Sequence, residues 1–500
     1  MTRKRSSAVV LAIIISFVAI MYHHTSPPTA HVIVVGSGLA GLSAAYAALQ
    51  DGAPSVRVLE RAAKPGGNSF KASSGINGVS RFQVAGPDSD FYSDTIRSAG
   101  ARLSYAPSEE ARADRERLIS VLTSRSTEAI DFLARLGIDL GVVTQLGGHS
   151  RARTHRGAGK TPPGVAIVST LLESLKAEFG ERFQLMPNCE VTRLLSTNDA
   201  TAVTGVEYKA DGKLLTLDGP VIFATGGFAG DTHGLLARYR PDLSGLPSTN
   251  EPRPGAHDVL SSIGARLVDM DSVQIHPTGF VDPQNPGARL KFLAAEMLRG
   301  EGGILLYKGK RFVNELETRE HISNTIMGLP EAEEDSELRQ WDVQLLLDPG
   351  AANAAEGHVS FYVWKGLLRR VKVKDLDETT RQTLKEYAQL VSGESKGDKL
   401  GRQSFGHWSL GLDGEDEEAE VCIGRVTPIV HFTMGGVVIN GHAQVLSSDL
   451  GQEQKVIPGL WAAGEITGGI HGDNRLGGSS LLECVVFGRI AGEGAAKAVL

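Results

Sequence analysis

Cysteine is scarce in this chain of 500 residues, which contains only Cys189, Cys422 and Cys484. The three are far apart, and none belongs to a CxxC or CxxCH pattern. This spacing excludes a zinc ribbon, an attached haem, an iron–sulfur cluster and a disulfide framework. We therefore predict a chain with no bound metal, haem or iron–sulfur cluster.

Clustered positive charge is also lacking. The formal net charge is -7, and no run of Lys or Arg occurs outside the extreme N-terminus. Proteins that bind nucleic acid carry a basic patch or stripe, so nucleic acid is excluded as a partner. The acidic runs at 331–335 and 415–420 are interpreted as solvated surface.

Long apolar runs are absent except for one, "AVVLAIIISFVAIM" at residues 8–21, which follows Arg3, Lys4 and Arg5. As a helix this run spans about 20 Å, shorter than the ~30 Å hydrocarbon core of a bilayer. A basic start followed by an apolar run is typical of a targeting signal. We predict that residues 1–30 are a signal peptide or membrane anchor of the endoplasmic reticulum. The alternative is a mitochondrial presequence, because no acidic residue precedes Asp51.

What the chain does have is a nucleotide-binding pattern near its start. "HVIVVGSGLAGLSAAYAALQDGAPSVRVLE" begins at residue 31 with an apolar strand that leads into Gly36, Gly38 and Gly41. A helix and a second strand follow, and the strand ends at Glu60. In a dinucleotide site the glycines let the backbone approach the pyrophosphate, and the acidic residue binds a ribose hydroxyl. The segment therefore predicts a dinucleotide site.

Three further segments indicate which dinucleotide is bound. The Gly66-Gly67 pair, shortly after Glu60, resembles the extended fingerprint of enzymes that bind FAD. The segment at 220–231 reads as a buried strand that ends in glycines, and the one at 456–469 resembles a C-terminal flavin element with an acidic residue. We predict FAD rather than NAD, in a domain built from both ends of the chain.

The middle of the chain carries an unusual set of charged and imidazole side chains. They are His276, Glu296, Arg299, Arg319, His431, His471 and Arg475. On a helix, Glu296 and Arg299 would share a face and could touch. Each residue alone has an ordinary structural explanation. Two histidines and two or three arginines together describe a pocket for a small dicarboxylate, because guanidinium groups pair well with carboxylates.

These segments resemble the soluble FAD-dependent fumarate reductases, especially the fungal kind. The resemblance rests on "QIHPTGF", "FLAAEMLRGEGGILL", "KRFVNELETRE", "VTPIVHFTMGGV" and "GEITGGIHGDNRLGGSSL". It extends from about residue 31 to the C-terminus and is weakest between about 330 and 424. It implies that a flavin delivers hydride to one alkene carbon of fumarate, giving succinate, while Arg319 protonates the other. Glu296 and Arg299 then resemble the relay that reprotonates Arg319, and His276, His431 and Arg475 resemble the carboxylate clamp.

The resemblance also implies a set of residues around FAD. They are Gly36, Ser37, Gly38, Ala40, Gly41, Glu60, Arg61, Gly66, Gly67, Asn68, Ser69, Ser73, Ser74, Gly75, Asn77, Gly147, Gly148, Val191, Ala224, Thr225, Gly226, Asp258, Gly464, Glu465, Arg475, Ser480 and Leu481. For Gly147 and Gly148 a plain glycine turn is the alternative.

This chain departs from the family pattern at two places. The family has Gly-Asp-Gly before the "QIHPT" strand, where this chain has His257-Asp258-Val259. Asn68 stands where membrane-bound relatives carry a histidine joined to FAD, so we predict noncovalent FAD. Electrons must then come from a diffusible donor: reduced free flavin (FADH2 or FMNH2), or NADH as the alternative.

We predict an α/β fold, a Rossmann-like FAD-binding domain with an inserted α+β capping domain. Its parts are residues 31–270 and 433–500 for the FAD domain and 271–432 for the cap, with the substrate at their junction. Two other functions remain open. One is the same fold acting on another activated alkene, as in urocanate reductases, or on a steroid; the other is a membrane-tethered flavin carrier.

Overall fold

The computed structural model describes residues 31–80, 88–159, 161–198, 201–333, 336–395, 397–411, 414–448 and 455–500. The predicted targeting segment at 1–30 lies outside these residues. Among the described helices none is long and apolar enough to cross a membrane. The same residues contain no group of three or more His, Cys, Asp or Glu that could hold a metal ion.

The described strands are numbered in chain order. They are β1 (His31–Val35), β2 (Ser55–Glu60), β3 (Ile76–Asn77), β4 (Val142–Thr144), β5 (Thr154–Arg156), β6 (Phe183–Pro187), β7 (Glu190–Ser196), β8 (Val203–Ala210), β9 (Lys213–Asp218), β10 (Val221–Phe223), β11 (Leu267–Val268), β12 (Val273–Phe280), β13 (Phe292–Leu293), β14 (Ile304–Tyr307), β15 (Lys310–Arg311), β16 (Val343–Leu347), β17 (Arg369–Lys372), β18 (Glu420–Thr433), β19 (Gly436–Val438), β20 (Gln444–Leu446), β21 (Val456–Ala462) and β22 (Thr467–Gly468).

The described α-helices are numbered in the same way. They are α1 (Leu39–Gln50), α2 (Phe91–Ala99), α3 (Ala101–Ser104), α4 (Glu109–Ser124), α5 (Ser126–Arg135), α6 (Pro163–Phe179), α7 (Leu235–Tyr239), α8 (His257–Ser261), α9 (Met297–Gly300), α10 (Arg319–Met327), α11 (Pro349–Ala354), α12 (Glu356–Trp364), α13 (Glu378–Val391) and α14 (Ser479–Lys497). Short 3₁₀ turns occur at Gly67–Lys71, Gly180–Arg182, Pro241–Leu243, Val373–Asp375 and Gly414–Glu418.

The first large sheet is mostly parallel, with the strand order β20-β21-β10-β1-β2-β6. Only the edge strand β20 runs antiparallel to its neighbour. The central strands are continuous apolar runs and are buried, as expected for a parallel sheet covered on both faces. Strands from near residue 31 and near residue 460 lie in one sheet, which confirms the predicted Rossmann-like α/β fold.

Helices α1 and α14 join the two ends of the chain at close range. A Cβ atom at Gly488 would stand 2.5 Å from the Ala40 carbonyl oxygen, and one at Gly492 would stand 2.2 Å from that of Ala44. Only glycine permits this approach without displacing backbone. The small residues of both helices therefore fix the nucleotide-binding start of the chain against its last helix.

A second large sheet is formed by strands between residues 273 and 433. Its strand order is β13-β12-β18-β16-β14-β15, and β17 pairs with β18. Neighbouring strands in this sheet are antiparallel. Three small sheets complete the described strands: β11-β19-β22, β3-β5-β4 and β7-β8-β9. The domain boundaries at 270 and 432 stay a prediction.

Candidate active site

Two neighbouring strands of the second sheet bring His276 and His431 together. His276 lies on β12 and His431 on β18, and their ring centroids are 5.3 Å apart. His276 Nδ1 accepts a hydrogen bond from the Thr278 backbone N–H at 3.2 Å. The ring proton of a neutral His276 therefore lies on Nε2, which is buried and has no partner among the described residues. It is an N–H donor in need of an acceptor.

Both imidazoles are neutral near pH 7. Burial, followed by the charge of Arg319, holds the pKa of His276 well below its usual value. Burial together with Arg319 and Arg475 does the same to the pKa of His431. His431 Nδ1 lies 3.3 Å from Thr249 Oγ1. The pair therefore offers hydrogen bonds rather than positive charge.

Glu296 and Arg319 form the main ion pair of this region. Glu296 immediately precedes the single turn α9, and Arg319 is the first residue of α10, which is capped by the Thr318 hydroxyl. Arg319 Nε donates to Glu296 Oε2 at 2.7 Å, and Nη2 donates to the same oxygen. Burial raises the pKa of Glu296, but Arg319 and Arg299 outweigh it, so that the pKa is lowered and the carboxylate is ionised.

Arg299 lies on the other side of Glu296. Its Nη2 is 3.8 Å from Glu296 Oε1, so the predicted contact between positions i and i+3 is present, although α9 is only one turn long. Nη1 donates to the Glu315 carbonyl at 2.7 Å. Nε and Nη2 make no hydrogen bond among the described residues, and burial lowers the pKa of Arg299 to about 10. The three side chains form a buried chain in the order Arg319, Glu296, Arg299.

Gln274 is a site residue that the sequence reasoning missed. Its Oε1 accepts from Arg319 Nη1 at 2.8 Å and from Arg475 Nη2 at 3.0 Å, while its Nε2 donates to the Arg475 carbonyl at 2.7 Å. Gln274 stands two positions before His276, and alternate residues of a strand point to the same side. This spacing was the available signal. The amide ties two guanidinium groups together without adding charge.

Arg475 completes the group from the C-terminal part of the chain. Its guanidinium lies over the Phe432 ring, 4.3 Å from the centroid, and Nη1 donates to the Leu476 carbonyl. Nε has no partner among the described residues, and burial with Arg319 lowers the pKa of Arg475 to about 9. His471 is not part of this group, since it pairs with the buried Glu483 at 2.6 Å.

One cavity of about 620 Å³ connects these residues to the predicted nucleotide-binding loop. Arg319, His431 and Arg475 line it. Most of the predicted FAD residues line it too: Gly36, Ser37, Gly38, Ala40, Glu60, Arg61, Gly67, Asn68, Ser69, Ser73, Ser74, Gly75, Ala224, Thr225, Gly226, Gly464, Glu465, Ser480 and Leu481. His276, Glu296 and Arg299 stand behind this wall.

Four of the predicted FAD residues support the wall instead of lining it. A Cβ at Gly41 would stand 2.0 Å from the Gly36 carbonyl oxygen. Gly66 N donates to Ser37 Oγ, and Asn77 Nδ2 donates to the Gly477 carbonyl. Gly147 N donates to Glu296 Oε1 at 3.1 Å. The structure thus puts Gly147 against the Glu296 carboxylate.

Three other predicted FAD residues lie away from the lining. Gly148 donates its N–H to the Leu316 carbonyl. Val191 is partly buried in β7 opposite Tyr208. Asp258 is exposed and pairs with Arg238 at 3.5 Å. Their contact with the cofactor stays a prediction that the cavity does not support.

The cavity fits the phosphate and ribose groups of FAD. Gly36 has φ +102°, and a Cβ there would stand 2.4 Å from the Ala224 carbonyl oxygen, so this position of the loop requires glycine. Glu60 Oε2 accepts from the N–H and hydroxyl of Ser37, and Oε1 accepts from the Ala62 N–H at 2.8 Å, which leaves a second lone pair on Oε1 able to accept from a ribose. Glu465 is partly buried and accepts a hydrogen bond from the Thr433 N–H at 3.0 Å, and burial raises its pKa to about 7.

Comparison with known proteins agrees with this geometry. The model of a family described as "FAD binding domain" matches residues 31–481. A fumarate reductase of Schizosaccharomyces pombe is 39% identical, covering 97% of this chain and 93% of the relative. Fumarate reductase 1 of Saccharomyces cerevisiae is 39% identical, covering 93% and 98%. The solved open form of a flavocytochrome c3 fumarate reductase has a TM-score of 0.69 and 29% identity, covering 98% of this chain and 81% of that one.

Proposed function

The chain belongs to the family of flavoproteins with this FAD binding domain, and we propose from that premise that it is a fumarate reductase, which reduces fumarate to succinate. The observation that carries the proposal is a set of buried donors in and behind the wall of the cavity. His276 Nε2, Arg475 Nε and Arg299 Nη2 are buried without hydrogen-bond partners among the described residues. Such donors are costly unless an acceptor completes them, and a dicarboxylate supplies oxygen acceptors at both ends.

The clamp holds the substrate through charge and hydrogen bonds. Arg475 offers a guanidinium group to one carboxylate, and the neutral His276 and His431 donate without adding positive charge that would have to be desolvated. Negative charge that develops on the substrate during hydride addition is then stabilised by donors already in place. Such preorganised donors usually make the largest contribution to lowering the activation barrier. FAD, when bound in the cavity, supplies the hydride.

Arg319 supplies the proton to the second alkene carbon. An arginine is ordinarily a poor acid, with a pKa above 12. The developing carbanion is a strong base, and Arg299 and Arg475 raise the local positive charge around Arg319. Glu296, which accepts from Arg319 Nε at 2.7 Å, takes up a proton by way of Arg299, 3.8 Å away, and passes it to the deprotonated Arg319.

Noncovalent FAD and a diffusible donor belong to the same proposal. Asn68 lines the cavity, and its amide donates to Asn250 Oδ1; an amide cannot form the covalent flavin link of a histidine. The donor is a reduced free flavin, FADH2 or FMNH2, with NADH as the alternative. We propose further that residues 271–432 form a cap over the substrate. We also propose that residues 1–30 anchor the protein to the endoplasmic reticulum membrane or, alternatively, direct it to the mitochondrion.

The test is an anaerobic half-reaction. The protein lacking residues 1–30 is reduced with dithionite and mixed with fumarate, and flavin reoxidation and succinate are measured. We expect rapid reoxidation with one succinate per flavin. The flavin could instead stay reduced with fumarate and be reoxidised by another activated alkene, such as urocanate. That alkene would then replace fumarate as the proposed substrate. No reoxidation by any alkene would favour a flavin carrier.

A further inference from the structure

Three large aromatic side chains are exposed together on one surface. Phe292 is 45% exposed, Phe361 is 42% and Trp364 is 75%. The ring centroids of Phe292 and Phe361 are 6.4 Å apart, and those of Phe361 and Trp364 are 6.0 Å apart. These three residues are called the aromatic patch. An apolar patch of this kind on a polar surface is a mark of an interaction site.

The aromatic patch lies at the rim of the flavin cavity. Leu293, which follows Phe292, lines the cavity. Tyr362, on the same helix α12 as Phe361 and Trp364, donates its hydroxyl to the Leu293 carbonyl at 2.9 Å. His358, at the start of that helix, is 2.7 Å from the carbonyl oxygen of Ser73, another lining residue. Helix α12 is therefore fixed to the cavity wall at two points.

Positive charge accompanies the rings. Lys365 Nζ is 5.0 Å from the centroid of the Trp364 ring and 5.5 Å from that of the Phe292 ring. Lys365 has no ion pair among the described residues, and the exposed Arg369 and Arg370 follow it along the chain. Flat rings with an ammonium group beside them complement a planar aromatic molecule that carries an anion.

We propose that the aromatic patch and Lys365 form the docking site of the free reduced flavin that supplies electrons. The isoalloxazine ring of the donor stacks on the aromatic patch, and its phosphate faces Lys365. The donor gives two electrons and two protons to the bound FAD and leaves as oxidised flavin. This inference rests on the proposed function, in which a diffusible reduced flavin is the donor. It assigns the donor its own surface outside the substrate clamp.

The binding test uses the full chain with FAD bound and oxidised. Oxidised FMN and riboflavin are titrated separately into the protein by calorimetry, so that bound FAD does not have to react. We expect FMN to bind about tenfold or more weakly to Trp364→Ala and to Phe361→Ala, because each change removes a stacking surface. Lys365→Ala should abolish the preference for FMN over riboflavin.

Tyr105→Ala is the matched control, because Tyr105 is 84% exposed and lies outside the aromatic patch. It should bind FMN as the parent does. FMN that fails to bind the parent, or that binds both patch variants with parental affinity, overturns the proposal. Binding that is lost equally in Tyr105→Ala, or in variants that have also lost FAD, overturns it as well, since the effect would not belong to this surface.

A kinetic arm separates this proposal from the proposed function. Fumarate reduction is measured with FMNH2 as the donor and, separately, as reoxidation of dithionite-reduced protein. For Trp364→Ala the loss in the FMNH2-driven rate should exceed any loss in the dithionite reaction, and should appear as a raised KM for FMNH2. If the dithionite-reduced parent does not reduce fumarate, the proposed function fails, while the FMN titration still decides the docking site.

Discussion

Two buried ionic clusters each contact Arg299, and they differ in how completely their hydrogen bonds are made. The site cluster consists of Gln274, Glu296, Arg319 and Arg475. The supporting cluster consists of Arg311, Glu315, Asp398 and Arg402. Arg299 touches both, through its side chain to Glu296 and through its carbonyl to Arg402 Nη2 at 2.8 Å.

The supporting cluster is saturated by its own members and by backbone. Arg311 makes paired hydrogen bonds to Glu315 and to Asp398. Arg402 donates to Glu315 Oε2 at 3.0 Å and to the carbonyls of Gly303, Ser404 and Arg299. Burial raises the pKa of Glu315, yet Arg311 and Arg402 lower it overall, which keeps the carboxylate ionised. Among the described residues, none of these four side chains has a buried nitrogen or oxygen without a partner.

The site cluster is different because it and the residues beside it leave buried donors without partners among the described residues. Arg475 Nε is buried without a partner among the described residues, as are Nε and Nη2 of Arg299 and Nε2 of the adjacent His276. A buried polar group left unpaired costs about 1–3 kcal/mol, so an anion that completes these donors would recover that free energy. The contrast separates structural from functional charge: a saturated cluster supports the fold, and an incomplete one awaits an anion.

The largest effect should come from Arg319→Ala, which removes the proposed proton donor from the site cluster. We expect reoxidation of the reduced flavin by fumarate to slow by about 10²–10⁴-fold, the usual contribution of a positioned acid. FAD content should remain near parental, because the nucleotide loop is untouched. Stopped-flow reoxidation of the dithionite-reduced protein measures the rate. A variant that keeps the parental rate would assign the proton to another group.

Arg402→Ala tests the other side of the comparison. Breaking a buried ion pair typically costs about 3–5 kcal/mol of folding free energy, so the thermal unfolding temperature should fall clearly below that of the parent. Arg339→Ala, which breaks a partly exposed pair with Glu331, is the matched control and should change it little. Turnover per bound FAD should fall less than in Arg319→Ala. If Arg402→Ala keeps the parental unfolding temperature, the structural role that we assign to the supporting cluster is contradicted.

Gln274→Met asks whether the amide that joins Arg319 to Arg475 matters. The substitution keeps the volume but removes the oxygen that both guanidinium groups use. We expect kcat/KM for fumarate to fall about 5- to 150-fold, the equivalent of about 1–3 kcal/mol for unpaired buried donors. Gln344→Met, on β16 and outside the site, is the control. Equal losses in the two variants would show a general effect on the second sheet.

The FAD loop, Arg402 and Gln274 show how much of the structure could be predicted from the sequence. The FAD loop was predictable because Gly36, Gly38 and Glu60 lie within one short βαβ unit, where spacing fixes geometry. Arg402 was not, because its partner Glu315 is 87 positions away and nothing local marks the contact. Gln274 carries no charge and belongs to no spacing rule except its two-residue distance from His276. Asp258 was assigned by analogy, and it lies at an exposed ion pair instead of at the cavity.

The smallest expected effect is in the pH profile. Burial, then Arg319, holds the pKa values of His276 and His431 well below 6.5, so both rings are already neutral at pH 6.5. We expect kcat/KM for fumarate to show no inflection from these rings between about pH 6 and pH 8, whereas a histidine with an ordinary pKa would titrate there. The unfolding temperature, in contrast to kcat/KM, should depend on pH. Below pH 6.5 the unfolded chain binds protons that the folded one does not, so the unfolding temperature should fall as the pH decreases.

His276→Asn checks this assignment by removing the ring and its proton. In this variant the unfolding temperature should fall less between pH 6.5 and pH 5.5 than it does in the parent. In His442→Asn, which changes an exposed histidine, it should fall as much as in the parent. An inflection of kcat/KM near pH 6.5 in the parent that disappears in His276→Asn would contradict the neutral clamp. The donor would then be an imidazolium ion, and the site cluster would hold its substrate by charge at three groups instead of by neutral donors beside two arginines.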